Sequence, residues 1–518
     1  MRSINKAVYM LPVIFSSIAA ARHLDKRIID DAYITYRYAT NLLTGGQLVF
    51  NIDDYVEAQT NILWSLIMAA CGGAGFSMPH AAVLISFICF IAFLRNAYDI
   101  LSVGDNKVNP GILLALFIPY GGSLFANVYS GMETVFYAFL ISQAFIFLES
   151  EKRIHLSVIC GLIFMTRPEG FFVGVIFISA AIYYSRFDKR SILEASTAFV
   201  IIFVTISIFR AYYYGSIIPN SIIAKSLPLG IIIDSIHGLS IPYIINFFID
   251  NPIMFVGYFL FFSLAVTAED NRLFSDQRSM ALVSEAVAFL IILLSLAIVV
   301  RNGGDWMPNS RLLSQYTVCY LVVGRAALRG IKLQYFKSSI FLLGVVLIGF
   351  KSIYLFNSNG TSLEPDVIPD KFYDEATREI SRLDIGANSF ISSEAAGYLP
   401  YKLINNRIHD PLGLADKYLA RHGSPGAALG RTDLSYTMGS IRPAVAVWHY
   451  VAHLYNIKEE FLKEYRFYCH RDCQSRRYAG IVMIRKDVSI PQDSFMGWAS
   501  GREIKVINDL INDVRCSQ

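Results

Sequence analysis

Twelve apolar segments fill most of the first 356 residues of this chain, and they constrain its fold more than any other feature. The chain is 54% hydrophobic and only 17% charged, whereas soluble domains carry about 25% charged residues. The segments are Ala7–Ala21, Ile62–Gly75, Ala81–Leu94, Ile112–Phe125, Val135–Leu148, Leu156–Met165, Phe171–Tyr184, Ala198–Phe209, Pro252–Val266, Ala281–Val300, Leu312–Val323 and Ser339–Phe356. They predict an all-α polytopic membrane bundle over residues 1–356.

The number of spans does not equal the number of segments. Several segments are shorter than the ~20 residues that a straight span needs, and short or re-entrant helices are tolerated inside a bundle. Ala7–Ala21 follows a basic N-terminus and also fits a signal peptide. We interpret it as the first transmembrane helix, because an acid pair and many further spans follow. We expect about 11 to 13 spans.

Basic residues indicate the orientation. They cluster at Lys152-Arg153, Arg186–Arg190, Arg272–Arg278 and Arg325–Lys337, and such loops are cytoplasmic by the positive-inside rule. The opposite, outer face then receives a first outer loop at residues 23–60 and all residues from 357 to 518. The net charge of +4 gives no reason to expect nucleic acid as a partner.

Residues 357–518 contain no long apolar run, and their length suits one soluble domain. Short strand-like runs such as Ile481–Ile484 alternate with polar residues, so we expect a C-terminal extracytoplasmic α/β domain. Cys469 and Cys473 lie four positions apart. We expect a disulfide between them, and two free thiols or a metal site are the alternatives compatible with that spacing.

An acid pair, Asp30-Asp31, opens the first outer loop and begins an amphipathic helix that Gly45-Gly46 ends. Its apolar stripe is Ile34, Tyr38 and Leu42, with Arg37 and Asn41 off the stripe. Acids are favoured at a helix N-terminus for capping alone. A carboxylate kept ionised there can also serve as a general base or nucleophile.

Polar residues gather at or beside span ends on the predicted outer face. Ordinary solvated loop ends would explain each residue alone, but ionisable groups near membrane depth usually line a cavity. Arginine and lysine suit a phosphate, carboxylates suit deprotonation of a hydroxyl, and apolar walls suit a lipid tail. The candidates are Asp30, Asp31, Glu57, Asn61, Glu133, Arg167, Glu169, Asn220, Lys225, Asp305 and Arg311.

Many short blocks of the chain resemble glycosyltransferases of the GT-C superfamily, in particular the mycobacterial terminal arabinofuranosyltransferase family and its bacterial relatives. The blocks cover about residues 7–425 and include Asp30–Ala39, Gly45–Asn51, Val56–Trp64, Ser130–Thr134, Thr166–Gly170, Tyr213–Gly215, Pro219–Ser221, Ala224-Lys225, Gly303–Pro308 with Arg311, Gly397–Tyr401 and Asp410–Asp416. Departures occur at Ala58-Gln59, where the family usually has Gly-Tyr, at Glu394, where it often has Asp, and at Leu312, where it has Phe.

The resemblance implies a GT-C fold in the bacterial inner membrane and transfer of a sugar from a polyprenyl-phosphate donor on the outer face. The acceptor would be an envelope glycan, a glycolipid or a protein, and arabinofuranose is the expected sugar. Asp30 or Asp31 would act as base or nucleophile, with Asp30 preferred. Arg37, Arg167, Lys225 and Arg311 would face the phosphate. Tyr33, Glu57, Asn61, Glu133, Glu169, Asn220, Asp305 and Trp306 complete the expected substrate-binding set.

No cofactor is required by the sequence. A divalent metal is compatible with so many acids, although no dedicated ligand set is visible. Two other classes of protein remain as alternatives: a transporter or flippase of lipid-linked sugars, and a non-enzymatic envelope protein that binds glycans. Against a transporter, no inverted repeat is visible and the polar groups crowd one face.

Overall fold

The computed structural model describes residues 28–102, 122–226, 240–250, 280–305, 307, 310–330, 370–426, 430–450, 459–469, 478–496 and 498–501. Some features predicted above lie wholly or largely outside these residues. They are the apolar segments Ala7–Ala21, Pro252–Val266, Ser339–Phe356 and most of Ile112–Phe125, the basic loop Arg272–Arg278, and the single residues Trp306 and Cys473. The total number of spans and the Cys469–Cys473 disulfide therefore stay predictions.

Helices dominate the described part of the chain up to residue 330. They are α1 Asp30–Gly45, α2 Ile62–Gly73, α3 Met78–Ser102, α4 Gly122–Ala126, α5 Thr134–Glu149, α6 Arg153–Thr166, α7 Gly170–Tyr184, α8 Lys189–Tyr213, α9 Asn220–Lys225, α10 Ile241–Asp250, α11 Met280–Asn302, α12 Arg311–Ser314 and α13 Thr317–Gly330, with a 3-10 turn at Asn127–Tyr129. The apolar segments that fall on described residues are thus helical, as predicted.

Three of these helices, α3, α8 and α11, are long and apolar enough to cross a membrane. At 1.5 Å per residue, the 25 residues of α8 extend for about 37 Å. Only 11% of the most apolar stretch of α8 is buried, and its exposed apolar side chains include Leu193, Val200, Ile201 and Ile208. An apolar helix surface left uncovered on this scale is what a lipid-facing helix presents.

The helices of the bundle place the predicted basic loops and the polar candidates at opposite ends. Lys152-Arg153 lie at the turn between α5 and α6 and at the start of α6, and Arg186–Arg190 span the turn between α7 and α8 and the start of α8. Leu148, Arg153, Tyr184 and Met280 line one small cavity at that end. The other ends of α5, α6, α7 and α11 hold the polar candidates.

Arg325, which the sequence placed in a basic loop, is instead a buried residue of α13. Its guanidinium donates to Glu149 at 2.8 Å and to the carbonyl of Ile100 at 2.8 Å. A buried arginine needs such partners, because an unpaired charge away from water is very costly. Arg325 therefore ties together the ends of α3, α5 and α13.

The C-terminal part contains a mixed six-stranded sheet. Its strands are β1 Phe390–Ser393, β2 Arg407–His409, β5 Val445–Tyr450, β6 Tyr465–Cys469, β7 Tyr478–Arg485 and β8 Ala499–Gly501, and β3 Ser424–Gly426 pairs separately with β4 Gly430–Thr432. The order is β2-β1-β5-β7-β6-β8; β1 lies parallel to β2 and β5, and the other pairs are antiparallel. Its helices are α14 Asp370–Ile380, α15 Tyr398–Lys402, α16 Lys417–His422 and α17 Glu459–Leu462, with a π-helix at Tyr436–Ile441.

Both faces of this sheet are covered by other parts of the chain. Neighbouring side chains of a strand point to opposite faces, so one strand shows the packing on each face. On β7, Val482 and Ile484 pack in one apolar cluster, and Ile481 and Met483 pack in another. The first cluster also contains Ile34 and Tyr38 of α1. The sheet therefore packs directly on the first outer loop.

Helix α1 lies between the bundle and the C-terminal part. Ala32, Tyr33 and Tyr36 pack in a cluster with α2 and α3, opposite the face that meets the sheet. The left-handed Gly46 (φ 67°) ends the helix by donating to Leu42, as predicted. Arg37 and Asn41, expected off the apolar stripe, are both buried as well, because the helix is covered on both sides.

A close backbone contact joins α1 to the start of α15. A Cβ atom added at Gly397 would collide with the backbone carbonyl of Asp30. We expect Gly397→Ala to lower the free energy of unfolding by about 1–3 kcal/mol, as overpacking does, measured by thermal unfolding in detergent. Gly386→Ala is the matched control, because only Ser389 Oγ, at 3.8 Å, lies near its Cβ. Equal melting temperatures for the two variants would contradict this contact.

Candidate functional site

A polar cavity of about 170 Å³ lies where the helix ends opposite the basic turns meet the first outer loop and the C-terminal part. Its charged and amide-bearing lining residues are Asp31, Gln59, Asn61, Glu133, Arg167, Glu169, Lys225, Arg301, Asn302, Asp305 and Arg311. Eight of these were candidates from the sequence: Asp31, Asn61, Glu133, Arg167, Glu169, Lys225, Asp305 and Arg311. The structure therefore brings together residues that the chain spreads over 281 positions, from 31 to 311.

The two acids of the pair have different environments. Adjacent residues of a helix point about 100° apart, and here only Asp31 lines the cavity. Both carboxylate oxygens of Asp30 accept backbone N–H groups, from Gly397 at 3.0 Å and from Tyr398 at 2.6 Å. The preference for Asp30 as the base does not fit this geometry, because its oxygens are already engaged away from the cavity.

Burial raises the pKa of both acids. It raises the pKa of Asp30 to about 7, while the amide of Tyr398 opposes that rise. Burial also raises the pKa of Asp31, against the lowering effect of Lys225 and Arg311. Asp31 is thus a carboxyl with a raised pKa, facing a cavity and flanked by two cations, which are the conditions that suit a general base.

One wall of the cavity is an arginine held between two glutamates. Arg167 donates to Glu133 at 2.9 Å and to Glu169 at 2.6 Å. Asn61 donates to the second oxygen of Glu133 at 2.7 Å. Because α5, α6 and α7 each contribute one end here, these bonds fix three helix ends relative to one another. The charge of Arg167 is largely neutralised by its own neighbours.

A second arginine lies between two acids on another wall. Arg311 Nε donates to Asp305 at 2.6 Å, and its Nη2 lies 3.9 Å from Asp31. A guanidinium has several donors in a planar fork, so Arg311 retains donors beyond the one used on Asp305. This residue links the loop after α11 to Asp31.

Four residues that were expected to bind the substrate do not line the described part of the cavity. They form hydrogen bonds and packing contacts in the structure around it. Arg37 was expected at the phosphate, but it donates to the carbonyls of Phe50 and Asn406 at 2.7 and 2.9 Å and also reaches Pro400. This correction has a clear cause, since the buried guanidinium is surrounded by backbone acceptors.

Glu57, Asn220 and Tyr33 are the other three. Glu57 accepts from Arg210 at 3.0 and 3.1 Å, and burial raises the pKa of Glu57 to about 7 against the opposing effect of that arginine. Asn220 donates to the carbonyls of Gly413 and Leu414. Tyr33 packs edge-to-face on Tyr398. None of the three lines the described part of the cavity.

Four residues of the site region were missed by sequence reasoning, and one of them, Gln59, was noted only as a departure from the family pattern. Arg301 and Asn302 line the cavity immediately after an apolar span, a position that the flanking polarity could have marked. Arg210 lies just beyond the end of an apolar run and pairs with Glu57. An arginine at such a place implies a buried acid, although the sequence does not name which one.

No group of three metal-ligating side chains converges anywhere in the described ranges. Within the cavity, the glutamates and Asp305 each accept from an arginine. The expectation that a divalent ion is compatible with the acids stays a prediction.

Comparison with known proteins gives two similarities. No protein-family model matches the chain. The chain is 25% identical over 220 residues to the terminal beta-(1->2)-arabinofuranosyltransferase of Mycobacterium tuberculosis, a match that covers 38% of this chain and 35% of that protein. The resemblance predicted from the short sequence blocks is confirmed at this level, over about a third of the relative's length.

In structure, the chain is similar to ArnT from Cupriavidus metallidurans bound to undecaprenyl phosphate, with a TM-score of 0.41 and 10% identity over 93% of this chain and 99% of that one. This similarity is too distant to show a common fold.

Proposed function

We propose that this chain is an integral membrane glycosyltransferase that moves a sugar from a polyprenyl-phosphate donor to a hydroxyl group. The observation that carries the proposal is the cavity in which Asp31 faces Arg311 and Lys225 beside apolar, lipid-facing helices. Similarity to a named glycosyltransferase supports it. A GT-C-type fold belongs to the same proposal.

In the proposed reaction, the oxygen of the acceptor hydroxyl attacks the anomeric carbon of the donor sugar. Asp31 accepts the proton of that hydroxyl at the same time. The bond between that carbon and the phosphate oxygen breaks, and the polyprenyl phosphate leaves with the electron pair. Donors aimed at the developing charge typically supply the largest share of such catalysis. If Asp31 attacks the anomeric carbon directly, a covalent intermediate forms and the anomer is retained, so the product anomer distinguishes the two routes.

The cations of the cavity differ in how available they are to the phosphate. Arg167 is committed to two glutamates, so its role is to hold the wall. Lys225 forms no ion pair within the part of the chain that the structure describes, and Arg301 is exposed where it lines the cavity. Together with the spare donors of Arg311, these two side chains would neutralise the phosphate.

The sugar and the acceptor follow by similarity alone. Arabinofuranose is the leading candidate, because the relative is named for its transfer. The acceptor hydroxyl would belong to an envelope glycan, a glycolipid or a protein. A panel of polyprenyl-phosphate sugars, each offered to the purified protein in detergent, tests both.

Transfer in detergent also separates the classes of function. Detergent micelles hold no ion gradient, so sugar transfer there is expected of an enzyme and not of a transporter. If no donor of the panel is consumed while reconstituted vesicles flip a lipid-linked sugar, the transporter alternative replaces this proposal. Binding of glycans without either activity would favour the non-enzymatic alternative.

The proposed location is the bacterial inner membrane, with the cavity and the C-terminal part on the outer side. The basic turns at the opposite end of the bundle support this orientation. We expect a reporter that is active only in the cytoplasm to be silent after Gln518 and active when inserted after Arg153. The reverse pattern would overturn the orientation.

A further inference from the structure

The guanidinium of Arg311 faces a different group through each of its three nitrogens. Nε donates to the carboxylate of Asp305 at 2.6 Å, and Nη1 donates to the thioether sulfur of Met132 at 3.1 Å. Nη2 lies 3.9 Å from the carboxylate of Asp31, which is beyond hydrogen-bond distance. Among the described residues, neither Nη atom therefore has a strong acceptor, and both the arginine and the methionine line the cavity.

The sulfur of Met132 is an unusual partner for a buried arginine. A thioether is a weak acceptor and carries no charge, whereas hydrogen bonds to a carboxylate are about twice as strong as neutral ones. Arg167 shows the contrast, because Glu133 and Glu169 both accept from it and largely neutralise its charge. Met132 instead orients one Nη atom of Arg311 without neutralising the guanidinium, so an incoming anion can displace the sulfur.

The backbone that carries Met132 is held by two neighbouring helices. The carbonyl of Gly131 accepts from the hydroxyl of Tyr36 in α1 at 3.0 Å and from the indole N–H of Trp64 in α2 at 3.2 Å. The N–H of Met132 itself donates to Ser130 Oγ at 3.2 Å. The start of the methionine side chain is therefore anchored beside Arg311.

We propose that Met132 is a positioning residue that keeps the Nη donors of Arg311 available to the phosphate of the lipid-linked donor. This inference rests on the proposed function. The sulfur orients Nη1, and it also keeps the guanidinium from closing the 3.9 Å gap to Asp31. If that gap closed, an ion pair would withdraw both the cation that meets the phosphate and the proposed base.

Two substitutions at Met132 change the acceptor in opposite directions. Met132→Leu keeps a similar volume but removes the sulfur, so the guanidinium loses its orientation. We expect kcat/KM for the lipid-linked donor to fall about 2- to 10-fold, the effect of one weak hydrogen bond. Met132→Gln supplies an amide oxygen, a stronger acceptor that competes with the phosphate for Nη1. We expect this variant to lower kcat/KM about 10- to 100-fold, the effect of one hydrogen bond to a charged group.

The same Met132 variants are also made in an Arg311→Met background, with thermal unfolding to confirm an intact fold. A positioning residue acts only through Arg311, so both penalties should disappear there, whereas a loss of packing would persist. Met68→Leu is the matched control, because Met68 is buried in the same apolar cluster as Met132 but is not among the described residues that line the cavity. It should leave kcat/KM unchanged.

The affinity for a polyprenyl phosphate, the proposed leaving group, gives a second measure that needs no turnover. It should weaken from the parental protein to Met132→Leu and further to Met132→Gln. Equal penalties with and without Arg311, or no penalty from either variant, would overturn the positioning role, and the Met132→Leu pair alone decides if Met132→Gln does not fold. A parental protein that neither transfers sugar nor binds the polyprenyl phosphate would instead overturn the proposed function itself, and this inference with it.

Discussion

Replacing Asp31 by Asn is expected to abolish most sugar transfer while the protein still folds and inserts. Loss of a general base typically lowers the rate ~10²–10⁴-fold, and Asp31 is the member of the acid pair that lines the cavity. Asparagine has nearly the same shape but cannot accept the proton of the acceptor. The measurement is kcat with a saturating lipid-linked donor in detergent, together with thermal unfolding to confirm an intact fold.

Asp30→Asn is the matched comparison for this variant. Its asparagine oxygen can still accept one of the two backbone N–H groups that Asp30 binds. We therefore expect a loss of at most about 10-fold, the effect of one impaired hydrogen bond. If Asp30→Asn proves the more damaging change and Asp31→Asn transfers sugar at the parental rate, the assignment of the base is wrong.

The pH dependence of transfer gives an independent reading of the same residue. A base must be ionised, so kcat/KM should rise with pH through the pKa of Asp31, which burial raises above the ordinary carboxyl value. Lys225 and Arg311 lower that pKa. Removing the positive charge of Lys225 should therefore move the acid limb of the pH profile to higher pH. If the limb does not move, the group that titrates there is not Asp31.

Replacing Arg311 by Met should have the second largest effect. We expect a loss of ~10²–10³ in kcat/KM, the range seen when one donor to a developing oxyanion is removed. Arg311→Lys keeps the charge but not the fork of donors. The ammonium keeps the attraction to the phosphate but lacks the planar, bidentate geometry, so the activity of Arg311→Lys should lie between those of the parental protein and Arg311→Met.

Arg190→Ala serves as the control for these arginine variants. Its side chain is 86% exposed and pairs only with Glu194 one helical turn away, among the residues described. An exposed pair of this kind contributes little to stability, and Arg190 lies at the end of the bundle opposite the cavity. If the dependence of the rate on donor concentration is unchanged in both Arg311 variants, Arg311 is not part of the donor site.

Sequence reasoning found the helices and most of the cavity because both depend on local patterns. Apolar runs form helices wherever the chain must satisfy its backbone in lipid. Glu133 and Arg167 each lie two positions from such a run, and Asp305 lies five positions after one, so alternation of the spans was enough to place them at one end. The strand-like run at Ile481–Ile484 was likewise found in β7.

What could not be predicted depends on contacts between distant parts of the chain. Helical geometry separates Asp30 from Asp31 by about 100°, but only the position of Gly397 decides which of them is withdrawn from the cavity. Arg37 was assigned to a phosphate because arginine suits that anion and the resemblance implied a phosphate beside the first outer loop. Its true partners include the carbonyl of Asn406, 369 positions away. The parallel pairing of β1 with β5, such as Ile391 with Val445, also depends on a contact that no local pattern shows.

The hydrogen bonds from Gly397 and Tyr398 to Asp30 also set an order of assembly. They join residues 367 and 368 positions apart, and contacts of such long range form late because the intervening chain must be ordered first. A nascent chain that has made its early helices still has the α1 acids unanchored. We therefore expect Asp31, the neighbour of Asp30, to be held in register only after residues 397 and 398 have been synthesised and docked, so a chain that ends before them should be inactive on its lipid substrate.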